Sequence, residues 1–150
     1  MTITVIGTGF VGVVSSAVFA SFGNKVFGLD VDQNKIESLV AGKVPFFEPE
    51  LEEMVKKGLE AGNLVFTTDY AEAIPASELV IIAVGTPSAP DGTADLRYVL
   101  AATESLSPHL SEKTIVAIKS TVPPGTNKKV EAIIKSKTKA EVAVVSLPEF

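Results

Sequence analysis

Three glycines near the start of the chain have the spacing of a phosphate cradle. Gly7, Gly9 and Gly12 form G-x-G-x-x-G within the run MTITVIGTGFVG. In such a loop the first glycine permits a tight turn. The second lets the backbone approach a pyrophosphate with no Cβ in the way, and the third lets the next helix pack close to the preceding strand. The helix N-terminus then offers free N–H groups and a partial positive charge to the anion. A bare match of this kind is also produced by plain strand-to-helix turns. Here the context is right: the apolar run Ile3–Ile6 precedes it, and Val11–Phe22, rich in small residues, follows it. Gly7, Thr8, Gly9, Phe10, Val11 and Gly12 are thus the candidate pyrophosphate site.

Asp30 lies at the end of a second apolar run, 18 residues past Gly12. That is close to the spacing of roughly 20 residues at which an acid reaches the ribose hydroxyls of a bound dinucleotide. A carboxylate there repels a 2′-phosphate and so favours NAD over NADP. With Asp32 beside it, a solvated turn aspartate is the lesser, competing reading of Asp30. Lys35, one helical turn on, could reach the same ribose or be a solvated helix lysine. Two later segments close apolar runs with small and hydroxylated residues: Gly85-Thr86-Pro87, and Ser120-Thr121 before Val122-Pro123-Pro124-Gly125. Ligands of open α/β sheets sit beyond the carboxyl ends of the strands, so these residues are candidates for the same cleft. Ordinary cap and turn chemistry would use the same residue types.

The elements that position these residues alternate. Strands are predicted at Ile3–Ile6, Lys25–Leu29, Leu64–Thr67, Leu79–Val84, Thr114–Ile118 and Val142–Val145. Helices are predicted at Val11–Phe22, Gln33–Val40, Glu50–Glu60, from Asp69 to Ile74, from an Asp95 cap to about Ser107, and from a Thr126 cap to about Lys137. Lys43–Pro49, with two prolines and two phenylalanines, reads as a loop. Strands that are near-continuous apolar runs are those of a parallel sheet covered on both faces. The predicted fold is α/β, a doubly wound Rossmann domain with a mostly parallel six-stranded sheet and helices on both faces. The last strand ends five residues before the chain does, so continuation into a partner domain is expected.

Composition narrows the function. The 150 residues are 46% hydrophobic and 21% charged, as in a globular domain. A net charge of −5 argues against nucleic acid as a partner, because phosphate backbones need a basic face. There is no cysteine, which removes disulfides, thiolate metal sites and a cysteine nucleophile from this stretch. The acidic cluster Glu48, Glu50, Glu52 and Glu53 reads as a charged loop and the favourable first turn of a helix, and no metal is expected. Lys128, Lys129, Lys135, Lys137 and Lys139 read as a solvated face. His109 reads as a surface residue, and Phe46 and Phe47 as core or as a cover for the cofactor or a partner domain. No run approaches the roughly 18 apolar residues of a membrane span, and no signal peptide is evident, so a cytoplasmic location is expected.

Taken in order along the whole chain, GTGFVG, VPFFEPELEE, AVGTPSAPDGTADL, KSTVPPGT and SLPEF resemble the UDP-glucose 6-dehydrogenase family, whose relatives act on GDP-mannose and UDP-N-acetylmannosamine. The resemblance implies residues 1–150 as an NAD-binding domain, with central and C-terminal substrate domains outside them and a homodimer or larger assembly. It implies NAD as cofactor and a nucleotide sugar as substrate, its C6 alcohol oxidised to a carboxylate by two NAD⁺ through a cysteine-bound intermediate. Gly7 to Gly12 match the family's pyrophosphate loop, Asp30 and Lys35 its adenosine-ribose contacts, and Thr86 and Thr121 its threonines near the cofactor. Thr121 would also position a catalytic water, and Glu149 matches a glutamate assigned to acid–base work. Leu147 departs from the pattern, since the family usually has asparagine in S-N-P-E-F. The family's cysteine has no counterpart here, so these residues alone cannot complete the reaction. Other dehydrogenases that share the glycine loop, and a non-catalytic NAD-binding or assembly module, are the competing readings.

Overall fold

A computed structural model describes residues 1–149; Phe150, the last residue of the SLPEF segment, lies outside them. The chain runs β1 (Thr2–Ile6), α1 (Phe10–Ser21), β2 (Lys25–Leu29), α2 (Gln33–Val40), α3 (Leu51–Glu60), β3 (Leu64–Thr67), α4 (Tyr70–Ala73) and β4 (Leu79–Ile82). It continues with α5 (Arg97–Leu106), a 3₁₀ turn (Ser107–His109), β5 (Ile115–Ile118), α6 (Thr126–Lys137) and β6 (Ala143–Ser146). The six strands form one sheet in the order β3-β2-β1-β4-β5-β6, and every neighbouring pair is parallel. Parallel neighbours need long crossovers, which the helices supply. The chain order reverses direction between β1 and β4, and a crevice opens there beyond their carboxyl ends.

The apolar runs explain why both faces are covered. Along β4, Val80 and Ile82 point into one core and Ile81 into the other, and all three are fully buried. The first core lies under α4, α5 and α6 with Ile74, Val99, Leu106, Val130 and Ile134; the second lies under α1, α2 and α3 with Val13, Ala17, Leu39, Leu51 and Val55. A two-residue period thus feeds two hydrophobic layers from a single apolar strand. Ile81→Val removes one methylene from the second layer and should cost about 1 kcal/mol. A shift in the urea midpoint with an unchanged m-value checks it.

Some predicted boundaries move. The fourth strand stops at Ile82, two residues early, and Ala83–Gly85 leave the sheet to line the crevice. Glu50 adopts a left-handed φ of 65°, so α3 starts at Leu51. Asp32 and Asp69 cap α2 and α4 by accepting backbone N–H bonds. Two expected caps, Asp95 and Thr126, are corrected. Leu96 is the N-cap of α5, and Asp95 instead accepts from the backbone N–H and guanidinium of Arg97. Gly125, at a φ of 88°, is the N-cap of α6, while the Thr126 hydroxyl donates back to the Pro123 carbonyl. Asp95 stands one residue before the N-cap and reaches only the first N–H of α5, and Thr126 is itself the first helical residue of α6. His109 lies in the 3₁₀ turn and is partly exposed. Glu52 and Glu53 pair with Lys56 and Lys57 along α3. Among the described residues no helix is long and apolar enough to cross a membrane, and no cluster of acidic or histidine side chains is arranged to hold a metal ion.

Candidate functional site

The crevice at the switch point is an open cleft of about 570 Å³, within the size range of small-molecule sites. Its floor is the glycine loop. Gly7 has a φ of 103°, and a Cβ there would lie 2.7 Å from the Ala83 carbonyl oxygen. A Cβ on Gly12 would lie 1.7 Å from the Gly7 carbonyl oxygen. Both glycines are therefore required by the protein's own packing. Gly9 is different: its φ is an ordinary −75°, and a Cβ would meet no atom within 4 Å. It faces the cleft, where only a bound group could demand its bareness.

Gly9 is also the N-cap of α1. It offers no side-chain cap, and the first turn contains no acidic residue. The first helical bond runs from Val13 N–H to the Gly9 carbonyl at 3.0 Å, leaving the N–H groups of Phe10, Val11 and Gly12 without a helical partner. Uncapped donors at the positive end of a helix, beside an unobstructed glycine, suit a pyrophosphate.

Asp30 lines the same cleft, partly buried at the end of β2. Burial by itself raises its pKa. It is outweighed by hydrogen bonds from the Thr8 backbone, the Thr8 hydroxyl and the Asp32 backbone, with the Lys35 ammonium adding to them, so the group is held below its ordinary 3.8. The distances are 2.8 Å for each Thr8 donor and 3.0 Å for Asp32 N–H, with Lys35 Nζ at 3.8 Å. Asp30 is thus an ionised, acceptor-only group facing the space where hydroxyls would lie. Tyr70, across the cleft, has its phenol pushed up by burial and by the Asp30 charge.

The predicted residues do not all gather here. Gly7, Gly9, Asp30, Lys35 and Gly85 line the cleft. Thr8 is 2% exposed and directs both its donors at Asp30, so it supports the site from beneath. Phe10 and Val11 face a second, smaller groove along α1, which also holds Lys119 and Glu149. There Lys119 Nζ pairs with the Glu149 carboxylate at 2.7 Å. Thr86, Pro87, Ser120 and Thr121 sit at the ends of β4 and β5, outside the walls of the main cleft. The Thr86 hydroxyl donates to the Thr121 carbonyl at 3.0 Å and the Ser120 hydroxyl to the Val84 carbonyl at 2.7 Å, bonds that lock the two loops together. Phe46 packs tilted on Phe10 at 5.2 Å, while Phe47 is exposed. Leu147 is also exposed; its N–H continues the sheet by bonding to the Ile118 carbonyl.

The far wall went unread in the sequence. It is made by Val31, by Tyr70 and by one face of α5, with Tyr98, Ala101, Ala102 and Ser105. Those four lie at i, i+3, i+4 and i+7, the spacing of one helical stripe. An aromatic followed by small residues on such a stripe was the available signal. Lys119, adjacent to the noted Ser120, was likewise passed over.

A parallel sheet in this order, with a bare-backbone cradle at the switch point and an acid at the end of the second strand, defines a dinucleotide-binding domain of the Rossmann class. The model of the UDP-glucose/GDP-mannose dehydrogenase family, NAD binding domain, matches residues 1–150. A UDP-glucose 6-dehydrogenase of Rhizobium meliloti is 49% identical over 152 residues, covering all of this chain and 35% of that protein. One from Bacillus subtilis is 47% identical, covering 99% of this chain and 32% of that protein. Among solved structures, a UDP-glucose dehydrogenase from the archaeon Pyrobaculum islandicum superimposes with a TM-score of 0.93 at 42% identity, over 99% of this chain and 36% of that one. A GDP-mannose dehydrogenase from Pseudomonas aeruginosa gives 0.90 at 34%, over 100% and 36%. The chain belongs to the UDP-glucose/GDP-mannose dehydrogenase family and is its NAD-binding domain. It spans about a third of the length of the curated relatives it matches.

Proposed function

We propose that this domain holds NAD for the oxidation of a nucleotide sugar, UDP-glucose first among the candidates, in a protein whose other domains grip the sugar and carry the thiol. The observation that carries this reading is Gly9, bare toward the cleft although no protein atom requires it. The N–H groups of the first turn of α1 bind the pyrophosphate, with Gly7 and Gly12 shaping the turn. Asp30 accepts from the adenosine ribose hydroxyls, and Lys35 balances its charge. Gly85 and the linked Thr86, Pro87, Ser120 and Thr121 form the edge on which the nicotinamide end rests. NAD supplies the hydride acceptor.

Removing a hydride from an alcohol also requires its proton to go to a base within hydrogen-bond reach. Glu149 serves as that acid–base group, held by Lys119, and Thr121 orients the water that releases the product. With no cysteine in the 150 residues, covalent capture belongs to a thiol outside them. UDP-glucose is favoured by the names of the Rhizobium meliloti and Bacillus subtilis relatives, and GDP-mannose and UDP-N-acetylmannosamine follow. A cytoplasmic location suits both cofactor and substrate.

Gly9→Ala is the direct test. Its stability should stay within about 1 kcal/mol of the parent, because the new methyl meets nothing in the protein. Its affinity for NADH should nonetheless fall about tenfold or more, as a well-placed steric conflict demands. Calorimetric titration alongside thermal melting reads both quantities. Unchanged NADH affinity would remove the main support for this reading.

A further inference from the structure

The two Asp30 carboxylate oxygens have unequal surroundings. Oδ2 accepts from the Thr8 backbone N–H and from the Thr8 hydroxyl, each at 2.8 Å, and faces Lys35 Nζ at 3.8 Å. Oδ1 accepts one bond, from Asp32 N–H at 3.0 Å. An ionised carboxylate has about four acceptor places, two on each oxygen, so Oδ2 is full and Oδ1 has one left. Thr8 is 2% exposed, which keeps both of its donors away from any ligand in the cleft.

We propose that Thr8 is a positioning residue that sets dinucleotide selectivity: it clamps one oxygen of Asp30 so that the other is presented to a ribose diol and a 2′-phosphate is refused. The proposal rests on the cofactor reading above. The Thr8 backbone bond would be formed by any residue at this position; the hydroxyl is what this side chain adds. It doubles the hold on Oδ2 and sits in the glycine loop, so the ribose-binding acid and the pyrophosphate cradle move as one body. It also sets the balance with Lys35, the cation in the cleft wall that a 2′-phosphate would seek. With Oδ2 fully engaged, the carboxylate cannot swing away to admit a second anion beside that lysine. The other titratable groups facing Asp30 are Asp32 at the N-cap of α2, Tyr70 on α4 and, farther along the wall, Tyr98 on α5.

The test compares Thr8→Val, which keeps the shape and removes the hydroxyl, with Thr8→Ser, which restores it. NADH and NADPH affinities are titrated for each over a range of pH, together with the carboxyl NMR titration of Asp30 in the free protein. Thr8→Val should weaken NADH about tenfold, the size of one hydrogen bond to a charged group, and leave NADPH within about twofold. The preference for NADH then shrinks about tenfold. The Asp30 titration and the acid limb of NADH binding should both move to higher pH, and Thr8→Ser should reverse all of it. Thr8→Ala carries the same comparison if the valine variant does not fold. Equal loss of NADH and NADPH, no loss of either, or no recovery with serine overturns the proposal. A parent chain that binds neither dinucleotide overturns the cofactor reading and this proposal with it; binding of NADH by the parent with an unmoved selectivity in the variants overturns this proposal alone.

Discussion

Gly12→Ala should lose about 3 kcal/mol of stability, the upper end of what overpacking costs, and should show no measurable NADH binding. The reason is a backbone clash, which rotamers cannot relieve. The new Cβ would be placed 1.7 Å from the Gly7 carbonyl oxygen and 2.9 Å from its carbonyl carbon. Something must move, and the choices are the turn after β1 or the whole of α1. Gly7 cannot yield, because it is held at a φ of 103° against the Ala83 carbonyl and its N–H bonds to the Leu29 carbonyl at 2.7 Å. Helix α1 must therefore tilt outward and lift Val13 and Ala17 from the second core, where both are fully buried. The same movement carries the first-turn N–H groups away from the cradle. For a domain of this size, 3 kcal/mol lowers Tm by about 6–12 °C. Thermal melting and NADH titration should fail together here. In Gly9→Ala only the second should fail, and that contrast separates packing from ligand recognition.

Asp30→Ala should weaken NADH about a hundredfold and cost about 2 kcal/mol of stability. The variant removes the acceptor of the Thr8 N–H, the Thr8 hydroxyl and the Asp32 N–H, and leaves Lys35 without its partner. Thr8 is buried, so its donors find no water in exchange. The pH dependence has a definite sign. The folded pKa of Asp30 lies below its ordinary 3.8, so the folded state favours the ionised form. Its contribution is fully present above 3.8 and is lost as pH falls from there through the folded value, since the unfolded chain takes up the proton first. Urea unfolding above and below pH 3.8 should therefore show a decline in the parent that is smaller in Asp30→Ala. A parallel decline in both would place the acid sensitivity in other carboxylates.

Much of this site was legible in one dimension because its parts are local. The glycine loop, the strand before it and the helix after it are contiguous, and each glycine position has a steric reason that spacing reveals. Asp30 ends a strand of definite length, so its place at the sheet's carboxyl edge follows from counting. The caps of α5 and α6 were misread because Asp95 and Thr126 have the right chemistry for caps, and only the folded backbone decides which residue occupies the N-cap: Asp95 falls one place before it and Thr126 one place after. The stripe on α5 was overlooked because Tyr98, Ala101, Ala102 and Ser105 contain no chemistry that points to a ligand until the helix is laid beside Asp30.

The amino-acid sequence by itself determined the class of fold, the identity of its family and the phosphate cradle, since these depend on near-neighbour patterns of apolar, glycine and acidic residues. Only the tertiary structure decided how the named residues divide. It grouped Gly9, Asp30 and Lys35 around one cleft, set Phe10, Val11, Lys119 and Glu149 around another groove, and turned Thr8 from a loop residue into the buried partner of Asp30. Which way a side chain faces across 22 residues of chain is fixed by how β1 and β2 pair, and that pairing is a property of the whole packed sheet.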